Sequence, residues 1–302
     1  MARSVRPGYM GIARIGSHTM RCTSFDVNPN QSSTFYDHTI GINDSDPSTS
    51  KTKDEWLHTR QTQQRIWRPS PIEISGGMNF PATVTDDGNS AVTNIFSLAA
   101  YADYFNLDFW YYCDMGKKFR NCRINTFGFN IQSGDILNID TNVFGMDILD
   151  ETSQEQEHDP FRKVAEKLVT WDTVKITVSN YGPIENVLIT GFNFQINNNI
   201  MNVYTNGPVS LPPIILPTLK PHDLRAGMQQ VNGSISIYLD QGQEFIPISM
   251  SNFGYAEIKI ESPVLNTTMH VVFQSNKMSG SVGPIITELP FVGVDKYFYG
   301  GF

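Results

Sequence analysis

The chain has 302 residues, enough for a sizeable β-rich core in one large domain or two smaller ones. Hydrophobic residues make up 40% and charged residues only 17%, below the roughly one quarter usual for a soluble domain; Asn, Ser, Thr and Gln take up the difference. A net charge of −8 excludes a strongly basic surface for gripping nucleic acid, and three cysteines without framework spacing (Cys22, Cys113 and Cys122) exclude a disulfide-stapled domain. With no apolar run of membrane-spanning length and no apolar N-terminal signal region, the sequence predicts a soluble chain made in the cytosol, with no membrane insertion.

In chain order, Gly8, Gly11 and Gly16 come first; their spacing does not form a phosphate-binding fingerprint, and their flanks are strand-like. Asn43 to Ser70 reads as a polar loop carrying Lys51, Lys53, Arg60, Arg65 and Arg68, with Trp56 and Trp67 embedded. Asn89 or Ser90 then caps a predicted helix in which Val92, Ile95, Phe96, Ala99 and Ala102 recur at helical spacing. Cys113 and Cys122 flank a predicted turn at Met115 to Phe119, where a hairpin could bring them within disulfide reach; in a reducing cytosol the better reading is two small buried hydrophobes.

The next stretch alternates cleanly. In Thr126 to Gln132, Phe127, Phe129 and Ile131 share one face and Thr126, Gly128, Asn130 and Gln132 the other. After a turn at Ser133-Gly134, Leu137, Ile139 and Val143 oppose Asn138, Asp140 and Asn142, completing a hairpin with one apolar and one polar side. Asp147 to Asp159 reads as an acidic loop with Glu151, Glu155 and Glu157. Asp159-Pro160 then reads as a cap and first turn of a second helix with the stripe Phe161, Val164, Ala165 and Leu168.

Thr190 to Asn197 returns to strand alternation, with Phe192, Phe194 and Ile196 opposite Gly191, Asn193, Gln195 and Asn197. Leu211 to Pro221 is a proline-rich loop. In the last clear strand, Asn232 to Asp240, Ile235, Ile237 and Leu239 alternate with Ser234, Ser236, Tyr238 and Asp240. Ser24 to Asn28, Thr126 to Asn130 and Gly191 to Gln195 echo one another, an alternation that any half-buried strand also produces.

No catalytic constellation emerges. The six histidines are scattered without metal spacing, Asp44 and Asp46 lack the remaining ligands of a calcium loop, and His222-Asp223 are adjacent residues that seldom converge on one proton. The expectation is a non-enzyme without cofactor or metal.

The ordered set GYMGIARIGSHTMRCTSFDVNPNQ, FRNCRINTFGFNIQSGDILNIDTNVFGMD, VLITGFNFQINNNI, LKPHDLRAGMQQVNGSISIYLD and IITELPFVGV resembles the tail tube proteins of tailed bacteriophages. The resemblance covers most of the chain, outside the inserted loops 43–70 and 147–159. It implies a mainly β fold over residues 1–302: a β-sandwich or rolled barrel with one or two flanking helices, contributing strands to a closed multi-subunit barrel. It also implies hexameric rings stacked into a virion tail tube, assembled in the host bacterial cytoplasm. Implied partners are copies of itself, with sheath, tape measure, baseplate and terminator proteins, and DNA only as a passenger during ejection. Four strands from each of six subunits make about 24, a backbone circle roughly 45–50 Å across at ~4.8 Å spacing and ~40° tilt.

On that footing the polar parity predicts a lumen lined by Asn130, Gln132, Asn138, Asp140, Asn193, Gln195, Ser234, Ser236 and Asp240. Trp56, Trp67, Tyr297, Phe298, Tyr299 and Phe302 are the predicted aromatic anchors between subunits and rings, or against a sheath. Two other readings are a ring paralogue, such as a tail terminator or baseplate protein, and a glycan-binding decoration protein of the virion.

Overall fold

The computed structural model describes residues 11–30, 33–38, 64–69, 71–85, 90–111, 116–151, 166–179, 188–204, 220–239, 256–274 and 285–294. It is mainly β. In chain order come β1 (Gly11–Ile15), β2 (His18–Cys22), β3 (Ser24–Phe25), β4 (Asn28–Asn30), β5 (Ser33–His38), β6 (Gln64–Pro69), β7 (Glu73–Pro81) and β8 (Thr83–Thr85). Helix α1 (Ala91–Tyr101) precedes β9 (Phe105–Tyr111), β10 (Gly116–Gln132), β11 (Asn138–Gly145), β12 (Asp147–Glu151) and β13 (Glu166–Leu168). A single 3-10 turn at Trp171–Thr173 leads to β14 (Lys175–Ser179), β15 (Leu188–Asn197), β16 (Met201–Val203), β17 (Asp223–Arg225), β18 (Gln230–Leu239), β19 (Ala256–Glu261), β20 (Asn266–Phe273) and β21 (Ile285–Gly293).

Fifteen strands share one hydrogen-bonded network whose main path is β14-β19-β20-β21-β18-β15-β10-β11-β7-β3. All of its ladders are antiparallel. The four alternating segments are therefore direct neighbours: β11, β10, β15 and β18. They are not a free-standing unit, because β7 pairs with the outer side of β11 and β21 with the outer side of β18. The count of four strands per subunit therefore leaves out two, since β7 and β21 extend the same sheet on either side. At the far margin β4 lies outside β7, with Pro29 opposite Ile74.

β10 holds the molecule together. Its first half, Gly116 to Arg120, pairs with β9 and β12 in a smaller sheet that also takes in β1 and β2. Its second half pairs with β11 and β15. Between the halves Asn121 takes a left-handed φ of 51°, which Asn tolerates better than most residues, and its N–H donates to Asn106 Oδ1 at 3.2 Å. The β9–β10 connection falls at residues 112–115, so Gly116 to Phe119 are strand where a turn was predicted. Cys122 stands opposite Phe105, buried; Cys113 lies outside the described residues.

The apolar parity becomes the core. Phe129 and Phe194 stack at 5.3 Å, and Phe192 stacks on Phe291 at 6.0 Å. Each such ring, fully buried, contributes about 1.5–3 kcal/mol. Gly233 faces this core because a Cβ there would lie 2.4 Å from the Phe291 ring. Helix α1 covers the same face: Phe96 meets Phe127 edge-on at 5.6 Å and Phe194 at 6.4 Å. Ser90 is its cap, accepting from the Val92 N–H at 3.2 Å, and Val92, Ile95, Phe96 and Ala99 are buried as their spacing predicts. Thr93 ties the helix to the β19–β20 turn by donating to the Val264 carbonyl at 2.6 Å.

Asn198 closes the helix end onto the sheet. Its buried amide donates to the Ala99 and Ile124 carbonyls at 2.7 and 2.9 Å and accepts from Gln229 at 2.8 Å. An unpaired buried amide is costly, so this fully used one fixes the register of three elements at once.

Three other expectations change. Glu166–Leu168 is a strand paired with β8 and Leu168 is exposed, so the predicted second helix does not reach its own C-terminal end; residues 152–165 lie outside the described residues. The ladder to Thr83–Thr85 satisfies that backbone without any apolar stripe. Within the two stretches read as loops, Gln64–Pro69 pairs with Ser33–His38 and Asp147–Glu151 pairs with β10.

Candidate functional site on the central sheet

The strand registers align the polar parity of six strands into rows. One row runs Pro81, Asn138, Asn130, Asn193, Ser234, Pro290. The next runs Asn79, Asp140, Gly128, Gln195, Asn232, Val292. A third, toward the β10–β11 turn, holds Gln132, Gly191, Ser236 and Glu288. At ~4.8 Å per strand, six strands span roughly 25 Å, a broad wet surface backed by a dry one.

Of the predicted lining residues, Asn130, Gln132, Asn138, Asp140 and Gln195 are exposed on this face, and Asn193 and Ser236 are half-buried. Ser234 has the expected parity, yet it is buried. Its hydroxyl accepts from the Asn193 amide at 2.7 Å and donates to the Glu288 carboxylate at 2.5 Å, and Asn193 in turn accepts from its N–H. Longer neighbours cover the short side chain. Asp240 lies outside the described residues, as do Trp56, Tyr297, Phe298, Tyr299 and Phe302. The backbone of Trp67 sits in β6 opposite Phe35.

Sequence reasoning missed the two flanking strands and their contribution of Asn79 and Glu288. A period-2 signal existed in Thr287, Leu289 and Phe291, all buried, but Pro290 interrupts it; Gly76-Gly77 likewise breaks the pattern of β7.

Electrostatically these rows are nearly neutral. Among the described residues in them there is no Lys or Arg, and the charged groups are Asp140 and Glu288. Partial desolvation holds the Asp140 carboxyl above its ordinary value. Amides and hydroxyls offer many weak donors and acceptors but no fixed cation, so a polyanion finds no counterion-releasing contact here.

Elsewhere the polar groups are structural. Asp223, once a candidate partner of His222, instead accepts from the Tyr104 hydroxyl at 2.6 Å, a bond that holds its carboxyl below the usual range. Cys22 and Cys122 are buried, which pushes both thiols up to about 12. Among the described residues no group of three His, Cys, Asp or Glu side chains is placed to hold a metal ion, and no helix is long and apolar enough to cross a membrane.

Compared with known protein families, residues 17–259 match the model of the phage tail tube protein family. The chain belongs to that family. The match covers most of its length and spans the whole of β2 to β18, which includes five of the six strands of the polar face; β21 lies beyond it. No curated protein matches the chain. As a tail tube protein it is a structural subunit and not an enzyme. It is a component of the virion tail that assembles with copies of itself and with other tail proteins into a tube.

Proposed function

We propose that this tail tube protein forms hexameric rings, stacked into a tube, with the polar face of β7, β11, β10, β15, β18 and β21 turned inward as the wall along which DNA passes. The observation that carries this is the sheet face whose three aligned rows hold amide and hydroxyl side chains and, among their described residues, no cation; Arg123 lies beyond these rows, opposite Phe144 at the bend of β10. DNA moving through a channel must not be held, and each Lys–phosphate or Arg–phosphate contact adds salt-dependent affinity. Asn130, Gln132, Asn138, Asp140 and Gln195 are the wall's exposed groups in this reading; Asn193 and Ser236 support them, Ser234 braces them from beneath, and Asp240 extends the same parity.

Ring closure then uses sides of the sheet outside the four central strands. The flank of β21 from Ile285 to Leu289 has no second ladder partner among the described residues, because β20 pairs with β21 only from Phe291 onward. That flank has room for a neighbouring copy, and pairing there removes an exposed edge. Trp56, Trp67 and the Tyr297 to Phe302 tail supply the aromatic contacts between rings or to a sheath in the same scheme; a chain ending at Lys296 is expected to fold but to form shortened tubes.

Replacing Asn138 and Asp140 with Lys tests the wall. Tubes of that variant should retain duplex DNA at about 50 mM salt and release it by about 300 mM, following the steep salt dependence of phosphate contacts, while wild-type tubes retain none. Variant tubes that pass DNA as freely as wild type would show that this face is not the wall. Polymer length in the electron microscope separates a tube, which extends, from a terminator-like single ring.

A further inference from the structure

Three consecutive strands of the central sheet carry an apolar residue at each of their two ends that the core does not use. At one end β15 begins with Leu188, 61% exposed, opposite the half-buried Tyr238 of β18, which stands opposite Ile286 of β21, also 61% exposed. The three form one cross-strand row on the polar face. It arises because the register break between Ile189 and Gly191 moves Leu188 off the core parity.

At the other end β15 leads through Asn198 to Ile200 into Met201, the first residue of β16, while Met228 lies just before β18 and Val294 just after β21; the three are 59%, 77% and 50% exposed. The Asn199 amide donates to the Met228 carbonyl at 2.7 Å, the Gly227 N–H donates to the Asn198 carbonyl at 3.0 Å, and Met201 pairs with Arg225, so the chain segments that carry Met201 and Met228 run side by side at this end. Between the two rims, about ten residues or some 33 Å of strand, the described rows hold amides, hydroxyls and glycine on β15 and β18 and Glu288, Pro290 and the half-buried Val292 on β21, and none of their residues is an exposed large hydrophobic.

Single exposed apolar side chains need no explanation; matched sets at both ends of the same three strands do. In a closed barrel the strands run obliquely to the axis, so their two ends open onto the two opposite faces of a ring. The inner edge of one axial face is then bordered by the Leu188–Tyr238–Ile286 row, and the opposite end of the same strands by Met201, Met228 and Val294.

We propose that these rims are the axial contact of the tube: the Leu188 rim of one copy packs on the Met201 rim of a second copy in the next layer, head to tail. The inference rests on the tube reading above and assigns its layer-to-layer surface. Flexible, polarizable Met side chains suit an aliphatic and aromatic counterface, and two different surfaces meeting without closure make an open-ended stack.

Two double variants test it: Leu188→Asp with Ile286→Asp, and Met201→Asp with Met228→Asp. Circular dichroism and thermal melting check that each folds, and Ser in place of Asp carries the same test where Asp does not. Each variant alone should shorten polymers by about ten-fold or more, as burying charge against apolar surface demands. Their equimolar mixture should give stacks two layers deep, because one intact rim of each kind remains. Wild-type-length tubes from either variant would overturn the rim contact and leave the tube reading standing. Two-layer stacks from a single variant would mean that like rims meet, which overturns the head-to-tail order. A wild-type chain that never polymerises would overturn the tube reading, and this assignment with it.

Discussion

Strand β10 passes through two regions that handle polarity in opposite ways. Its first half carries Lys117, Lys118 and Arg120, and Arg123 follows just past the bend, while Thr126 to Gln132 carries no charge. In the small N-terminal sheet Asp108 bonds both Arg14, at 2.8 Å, and Arg120, at 2.9 Å, and the Arg14 guanidinium lies 4.8 Å above the Trp110 ring. In the central sheet the equivalent cross-strand partners are Asn130 with Asn138 and Asn193 with Ser234. The same strand therefore uses ion pairs where charge is partnered by its own chain and amides where a broad face stays open. Along β10, the cations stop before Thr126, ahead of the stretch that meets the open face.

That contrast can be broken from either side. The largest effect is expected in the core shared by both faces: Phe194→Ala removes a ring packed on Phe96, Phe127, Phe129 and Phe192, and should cost about 3–5 kcal/mol by denaturant titration. In the charged region, Asp108→Ala strips the partner from two half-buried arginines. Their side chains are 29% exposed, so the buried-pair penalty is discounted to about 1–2 kcal/mol, and the loss should shrink at high salt. A loss independent of salt would mean that packing, not charge, organises this region.

The smallest effect belongs to Asp140. Desolvation raises its folded pKa above the ordinary 3.8, so the folded state binds its proton more tightly than the unfolded chain does. Its contribution to stability is therefore present at low pH and is lost as pH rises through the raised value. Asp140→Asn should be slightly more stable at pH 7, with equal stability near pH 3, measured as thermal midpoints across that range. A variant less stable at pH 7 would show that the ionised carboxylate is supported in the fold.

The central sheet was legible because period-2 alternation is loud where one face is dry and the other wet: Phe127, Phe129, Phe192, Phe194, Ile235 and Ile237 are all buried. Helix α1 was legible by its 3.6-residue stripe and Ser90 cap. What sequence could not show was anything set by register. The break between Ile124 and Thr126 and the one between Ile189 and Gly191 each shift parity by one residue, which moves Leu188 to the open face. Burial of Ser234 depends on the neighbours Asn193 and Glu288 from two other strands, and Asn198 reads as one Asn of three in a row. The stripe from Phe161 to Leu168 fits helical spacing, yet its last residues are recruited by β8.

The two outermost strands of the sheet have a consequence for the life of the protein before it is built into a virion. At one margin β4 presents Pro29, which has no N–H to offer, and at the other β14 presents Lys175, 75% exposed at its side chain. Both are features that discourage stray strand addition. At these two margins a passing strand meets a missing donor or a solvated charge, which discourages amyloid-like zippering between subunits not yet assembled.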